Sequence, residues 1–339
     1  MARASFLAAV AVAATAIFGT AASDTRATSS VRTATTLALV AYSTPQAAFA
    51  EIIPAFQATA AGRGVEFQQS YAGAETQVRA VIAGLPADVV DLSLEPNVTD
   101  LVAAKLVAPD WNRNATHGFV TRSVVAFAVR DGNPKHIRTW DDLLKPGVQV
   151  VTPNPFSSGG ARWNVMAAYG AMLREGKTSK QAIAYLQQLF RDHVVSQDST
   201  ARNALQTFLA GKGDVLLTYE NEAILARQKG ERVFTVIPKA TLLIENPAAV
   251  ISTSRNKAAA QAFVRFLTTP TAQTIFAETG YRPVLASVAK RFAKQFPYRP
   301  QLFKIGYVGG WEKVTKQFFD PQTGVMAKIE QGLGVGVGA

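Results

Sequence analysis

Residues 148–173 constrain the fold more tightly than any other stretch of the chain. An apolar segment of strand character, 148–151, leads through Pro153-Asn154-Pro155-Phe156-Ser157-Ser158-Gly159-Gly160-Ala161-Arg162-Trp163-Asn164 into a helix-like segment, 163–173. The junction offers small hydroxyls and two glycines. A helix start leaves its first N–H groups without intrahelical partners and carries the positive end of the helix dipole. Such a junction is an anion cradle. It has no P-loop lysine and no serine flanked as in a nucleophile elbow, so it suits holding an oxyanion and not reacting with one.

The same design recurs along the chain. Strands are predicted at 36–42, 65–69, 88–94, 121–130 and 214–218, with extended chain at 241–252. Helices are predicted at 44–60, with Thr44 as cap and Pro45 in the first turn, and at 75–83, 140–144, 180–190, 199–209, 256–267 and 271–278. Strands alternating with helices predict an α/β fold with a mostly parallel sheet. Four loops lie between a strand and a helix and carry small residues: Tyr42-Ser43-Thr44, Ser70 to Ala74, Ser157 to Gly160, and Asp198-Ser199-Thr200-Ala201. Ligands of open α/β sheets sit at the carboxyl ends of the strands. Hydrogen bonds to a charged group net about 1.5–3 kcal/mol each. Six or seven therefore exceed the roughly 8 kcal/mol of micromolar binding, with the surplus offsetting desolvation and closure.

Composition narrows the setting. Residues 1–23 read as a secretory signal: Arg3 makes a positive start, 6–20 is an uncharged apolar run, and Ala21-Ala22-Ser23 offers small residues for cleavage. The run is short and alanine-rich for a membrane anchor. There is no cysteine in the 339 residues, which removes disulfides and a lipid-attachment thiol, so a soluble periplasmic home is expected. The remaining length suits two lobes of roughly 150 residues. The net charge of +11 is scattered, without the clustered patch that nucleic acid requires, and provides a broad field that steers small anions. The glycine-rich end, 336–339, reads as a flexible tail.

These residues carry a family resemblance. From about Leu37 to about Phe319 the chain resembles the periplasmic sulfate-binding proteins of ABC transporters. The strongest stretches are Lys145-Pro146-Gly147-Val148 with Thr152-Pro153-Asn154-Pro155, and the run from Ser157 to Asn164. Gly213-Asp214-Val215-Leu216, Glu220-Asn221-Glu222-Ala223, Tyr281-Arg282-Pro283 and Gly309-Gly310-Trp311 add to them. The resemblance implies a two-lobed type II periplasmic binding fold, with a hinge and a central anion cleft. Residues 34–122 and 246–335 form one lobe on this reading, and 123–245 the other. It implies a monomer without cofactor or metal that delivers sulfate to membrane permease subunits.

The resemblance also places the contacts. The Ser158 hydroxyl, the N–H groups of Ser43, Ala74, Gly159, Gly160 and Ala201, and the Tyr219 side chain fall on the anion. Arg162 and Arg202 fall behind the cradle as braces. Three positions depart from the usual pattern: Ser43 replaces an aspartate, Ala74 a serine and Tyr219 a tryptophan. A phenol can accept as well as donate, whereas an indole only donates.

Sulfate carries no proton at neutral pH and matches a donor-only site, whereas hydrogen phosphate also needs an acceptor. Glu75 and Asp198 are the carboxylates near the loops, and both read as helix-start groups. Sulfate is the expected ligand. Thiosulfate follows, then molybdate, tungstate or phosphate, and an anion-sensing subunit is the rival role. His117, His136 and His193 lack zinc-ligand spacing. A hydrolase set of Ser158, His193 and Asp198 requires a proximity that sequence does not establish.

Overall fold

The computed structural model describes residues 35–297 and 299–337. The expected signal segment and residues 338–339 of the tail lie outside them. No helix among the described residues is long and apolar enough to cross a membrane.

The first part of the chain alternates strand with helix as expected through its third strand, and the helix after that strand is one the sequence reading did not predict. Strand β1 (Thr35–Tyr42) leads to α1 (Gln46–Gln57), β2 (Val65–Ala72) to α2 (Ala74–Ile82), and β3 (Val89–Asp91) to α3 (Glu95–Ala103). β1 lies between β2 and β3, parallel to both. Its Leu37, Leu39 and Ala41 face one apolar cluster and Val40 faces another. Helices cover both faces of a parallel sheet, so both sets of alternate residues must be apolar.

Two long strands tie this part to the next. β4 (Phe119–Arg130) runs antiparallel to β9 (Thr241–Val250) over 119–124, then to a different partner, β7 (Val215–Tyr219), over 125–129. β9 continues past β4 to pair with β3. Between them come β5 (Val150–Pro153), α4 (Gly159–Arg174), α5 (Ser179–Gln188), β6 (Val194–Asp198), α6 (Ala201–Leu209), then after β7 the helix α7 (Glu220–Gln228) and β8 (Val233–Val236). The sheet order is β2-β1-β3-β9-β4-β7-β5-β6, with β8 paired to β4. The chain closes with α8 (Lys257–Phe266), α9 (Pro270–Glu278), α10 (Ala286–Arg291), β10 (Leu302–Phe303), α11 (Gly310–Val314) and α12 (Val325–Gly332).

Several local expectations change. Pro45 occupies the N-cap position of α1, and the Thr44 hydroxyl makes no capping bond. It bonds Tyr281 instead, at 2.7 Å. Helix α4 begins at Gly159 and not at Trp163, so both glycines belong to its first turn. Helix α6 is capped by Thr200, whose hydroxyl accepts from the Asn203 N–H. The strand expected over 88–94 is confined to Val89–Asp91, and α3 starts four residues later.

The packing also divides the stretch 246–335. Phe263, Phe276 and Tyr281 join the cluster of β1 and α1. Phe303, Trp311, Phe318 and Met326 join the cluster of Trp140, Trp163 and Tyr169. Trp311 meets Trp163 edge-on at 4.6 Å between ring centres, and Phe318 meets Tyr169 at 4.7 Å. The C-terminal segment therefore shares a core with Trp140, Trp163 and Tyr169 of the 123–245 stretch, although the sequence reading grouped it with 34–122.

One contact there titrates. Glu330 on α12 is fully buried. Its Oε2 accepts from Gln197 Nε2 at 2.8 Å, while Oε1 of each residue has no partner among the described residues. Burial raises the Glu330 carboxyl to about 7, against the pull of Gln197. The folded state thus holds a proton that the unfolded chain releases from about pH 4.5 upward. This contribution is complete below that pH and is lost as pH rises through 7, an effect on the order of 3 kcal/mol. Glu330→Gln is expected to flatten the fall of melting temperature between pH 5 and 8. Some slope should remain, because burial also raises Glu222 to about 7. Melting curves across that range decide it, and a variant with the parent slope sinks the assignment.

Candidate functional site

Six strand ends and helix starts meet at one point of the fold. The loops ahead of α1, α2, α4 and α6 supply Ser43 and Thr44, Gly73 and Ala74, Ser158 to Gly160, and Ala201. The ends of β3 and β7 supply Ser93 and Tyr219. Together with Tyr42 they line a small cavity. All seven residues expected on the anion line it.

Its polarity follows from the helix starts. The N–H groups of Ser43, Ala74, Gly159, Gly160 and Ala201 donate to no protein acceptor among the described residues. Four helices aim their positive dipole ends at the same space. Ser158 holds the N-cap position of α4 without making a side-chain cap bond, so its hydroxyl remains unspent. It lies beside Gly160, where an added Cβ would approach Ser158 Oγ and Ala201 Cβ to 3.3 Å and the Tyr219 ring to 3.5 Å. Gly159 is required by a closer approach still. A Cβ there would sit 2.7 Å from both Cβ and Oγ of Ser93.

Ser93 was not among the expected contacts. Its Oγ lies 2.6 Å from the Tyr219 hydroxyl. Its carbonyl accepts from Trp163 Nε1 at 3.0 Å and from Asn246 Nδ2 at 2.9 Å. Two hydroxyls sharing one hydrogen bond use one proton and leave the other to donate elsewhere. The pair therefore offers the cavity one donor, and burial raises the Tyr219 phenol so that it stays protonated. The sequence reading ran the strand over 88–94 and so placed Ser93 inside it, whereas the structure ends the strand at Asp91 and leaves Ser93 at its carboxyl end, where α/β ligands gather.

Two arginines stand behind the cavity, each bound to a carboxylate. Arg162 lies 3.1 Å from Glu75 and donates Nε to the Pro155 carbonyl at 2.9 Å. Glu75 also accepts from Asn97 Nδ2 at 2.7 Å, so both its oxygens are engaged. Arg202 bonds Glu222 at 2.9 Å and the Thr44 carbonyl at 3.0 Å. Asp198 accepts from the hydroxyls of Thr207 at 2.8 Å and Ser196 at 3.3 Å. Neither carboxylate weighed as an acceptor lines the cavity. Of the hydrolase set, Ser158 lines the cavity while His193 and Asp198 do not, and His193 Nδ1 lies against the Val148 carbonyl at 3.0 Å.

The model of a family described as bacterial extracellular solute-binding proteins matches residues 37–282. A sulfate-binding protein of Synechococcus elongatus is 42% identical over 305 residues, which span 87% of this chain and 86% of that protein. A thiosulfate-binding protein of Pseudomonas aeruginosa is 35% identical over 293 residues, spanning 83% and 88%. Among solved structures, the sulfate-binding protein SubI from Mycobacterium tuberculosis is 45% identical with a TM-score of 0.82, covering 84% of this chain and all of that one. A periplasmic thiamin-binding protein at 16% identity and TM-score 0.67 shares the fold alone.

The Arg202–Glu222 pair generates a prediction. Glu222 is fully buried, and burial lifts its carboxyl to about 7 even with Arg202 pulling it down. Removing the guanidinium raises it further, so the folded state gains a proton at neutral pH. Arg202→Ala should then destabilise by about 2–4 kcal/mol at pH 8 and far less at pH 5. Urea titrations at the two pH values measure this, and an equal loss at both would contradict it.

Proposed function

The chain belongs to the bacterial extracellular solute-binding proteins, and we propose that it captures sulfate in the periplasm and delivers it to the permease of an ABC transporter. One observation carries the reading. Five N–H groups without a partner among the described residues, together with the Ser158 hydroxyl, surround a small cavity whose lining contains no carboxylate. A fully deprotonated tetrahedral dianion can accept from every one of these donors. Hydrogen phosphate would turn its own proton toward donors, which costs about 1–3 kcal/mol for each polar group left unmatched.

Capture follows from two lobes closing on the anion. Residues 34–122 with the α8–α10 region make the first lobe. Residues 123–245 with the C-terminal segment make the second. β4 over 121–126 and β9 over 245–250 are the crossing points about which the lobes swing. The anion meets one lobe first, and closure completes the donor set. The closed form is the one that docks on the permease. No bond of the ligand is made or broken, and the protein works as a secreted monomer whose first 23 residues are removed. A second reading, thiosulfate capture, draws on the relatives that carry that name. A terminal sulfur is a poorer acceptor than oxygen, so it ranks below sulfate at a site made of N–H donors.

Calorimetric titration of the anion-free protein with sulfate, thiosulfate, molybdate and phosphate at neutral pH separates these readings. Sulfate is expected to bind at micromolar or tighter dissociation constants, roughly 8 kcal/mol or more, with phosphate far weaker. Ser158→Ala should weaken sulfate by about 1–3 kcal/mol. Phosphate binding as tightly as sulfate would overturn the donor-only reading, and silence toward all four anions would overturn the function.

A further inference from the structure

Gly73 stands apart from most glycines of this chain. Gly64, Gly84 and Gly132 have positive φ and open space where a Cβ would go, so their backbone demands glycine. Gly73 has φ −63° and ψ 140°, a conformation that any residue adopts without strain. It also holds the N-cap position of α2, where serine, threonine, aspartate or asparagine serves better. Nothing within its own loop requires glycine there.

The requirement comes from across the cavity. A Cβ on Gly73 would lie 2.1 Å from the Ser157 carbonyl oxygen and 3.0 Å from that of Ser199. These are backbone atoms of the loops ahead of α4 and α6, which also carry the cradle donors. The two loops are joined, since Ser157 Oγ donates to the Ser199 carbonyl at 2.9 Å. They form one pad, and Gly73 seats on it. The next residue, Ala74, presents one of the unpaired N–H groups. On the same helix, Arg79 donates to the Phe156 carbonyl at 3.3 Å, and Glu75 pairs with Arg162. The α2 start is therefore one bank of a seam and the cradle loops are the other.

We infer that Gly73 is a positioning residue for anion capture: its missing side chain lets the α2 start close onto the Ser157–Ser199 pad and bring the Ala74 N–H into the donor ring. The inference rests on the oxyanion-capture reading above. A side chain at 73 leaves the first lobe intact and acts only when the lobes meet. The pad cannot yield by rotating a side chain, because the obstructing atoms are carbonyl oxygens held by their loops.

Two variants test this in the full mature chain, with sulfate as the probe. Gly73→Ala adds only the Cβ. Gly73→Ser adds it together with a good helix cap, so it should hold or raise the melting temperature of the anion-free protein. Both are expected to melt within about 2 °C of the parent without anion, to bind sulfate at least about tenfold more weakly with the loss mainly in dissociation rate, and to lack the sulfate-induced compaction in small-angle scattering expected of the parent. Affinity within about twofold of the parent in either variant overturns the inference. So does a large drop in anion-free melting temperature, which would make Gly73 a packing residue of a rigid core. A parent that binds sulfate while the variants match it refutes only the role of Gly73. A parent that binds none of the four anions refutes the capture reading and takes this inference with it.

Discussion

The N–H groups at the start of a helix have no carbonyl one turn back to bond, and in this protein four helices bring such groups to one space. Ser43, Ala74, Gly159, Gly160 and Ala201 each present one. The rest of the fold serves that meeting. Parallel pairing sets β1 beside β2, and β5 beside β6, with the helices that follow starting at the same sheet edge. The crossing strands β4 and β9 then hold the two sets opposite each other. Small residues at the loops keep side chains out of the way, and Gly159 is small because Ser93 comes to where its Cβ would be.

Charge is arranged by the same logic. A guanidinium in the cavity would attract any anion, protonated or not. Here Arg162 is bound to Glu75, and Arg202 to Glu222, outside the lining. In these two pairs each ion has its counter-ion, which avoids the several kcal/mol that an unpaired buried charge costs. The cavity is left with dipoles and hydroxyls, whose directions are fixed and whose preference is therefore geometric. The Ser93–Tyr219 pair is the exception, since a shared proton between hydroxyls can reverse.

Much of this was legible in the sequence, and the omissions have physical causes. Strand, small-residue loop and helix follow one another in a pattern that hydrophobic periodicity reveals. The loops at 43, 74, 158–160 and 201 were legible as helix starts before any contact was known. Ser93 was hidden because a serine two residues past Asp91 reads as strand continuation, and only pairing shows that the strand has ended. Thr44 read as a cap because threonine before proline usually is one, but a partner distant in sequence, Tyr281, takes its hydroxyl. The sequence reading grouped the C-terminal segment with 34–122 because an apolar helix face fits either core. Trp311 against Trp163 is a tertiary match with no local signature.

The buried lining of the cavity bears on time as much as on equilibrium. Ser43, Ala74, Ser158 and Tyr219 are all at most 8% exposed. An ion held there has no path to water except through separation of the surrounding loops. Its residence is then governed by how often the protein opens, and anions that differ in affinity need not differ in escape. Selection among them falls to the moment of closing: a good fit allows the seam to shut, and a poor one leaves before it does.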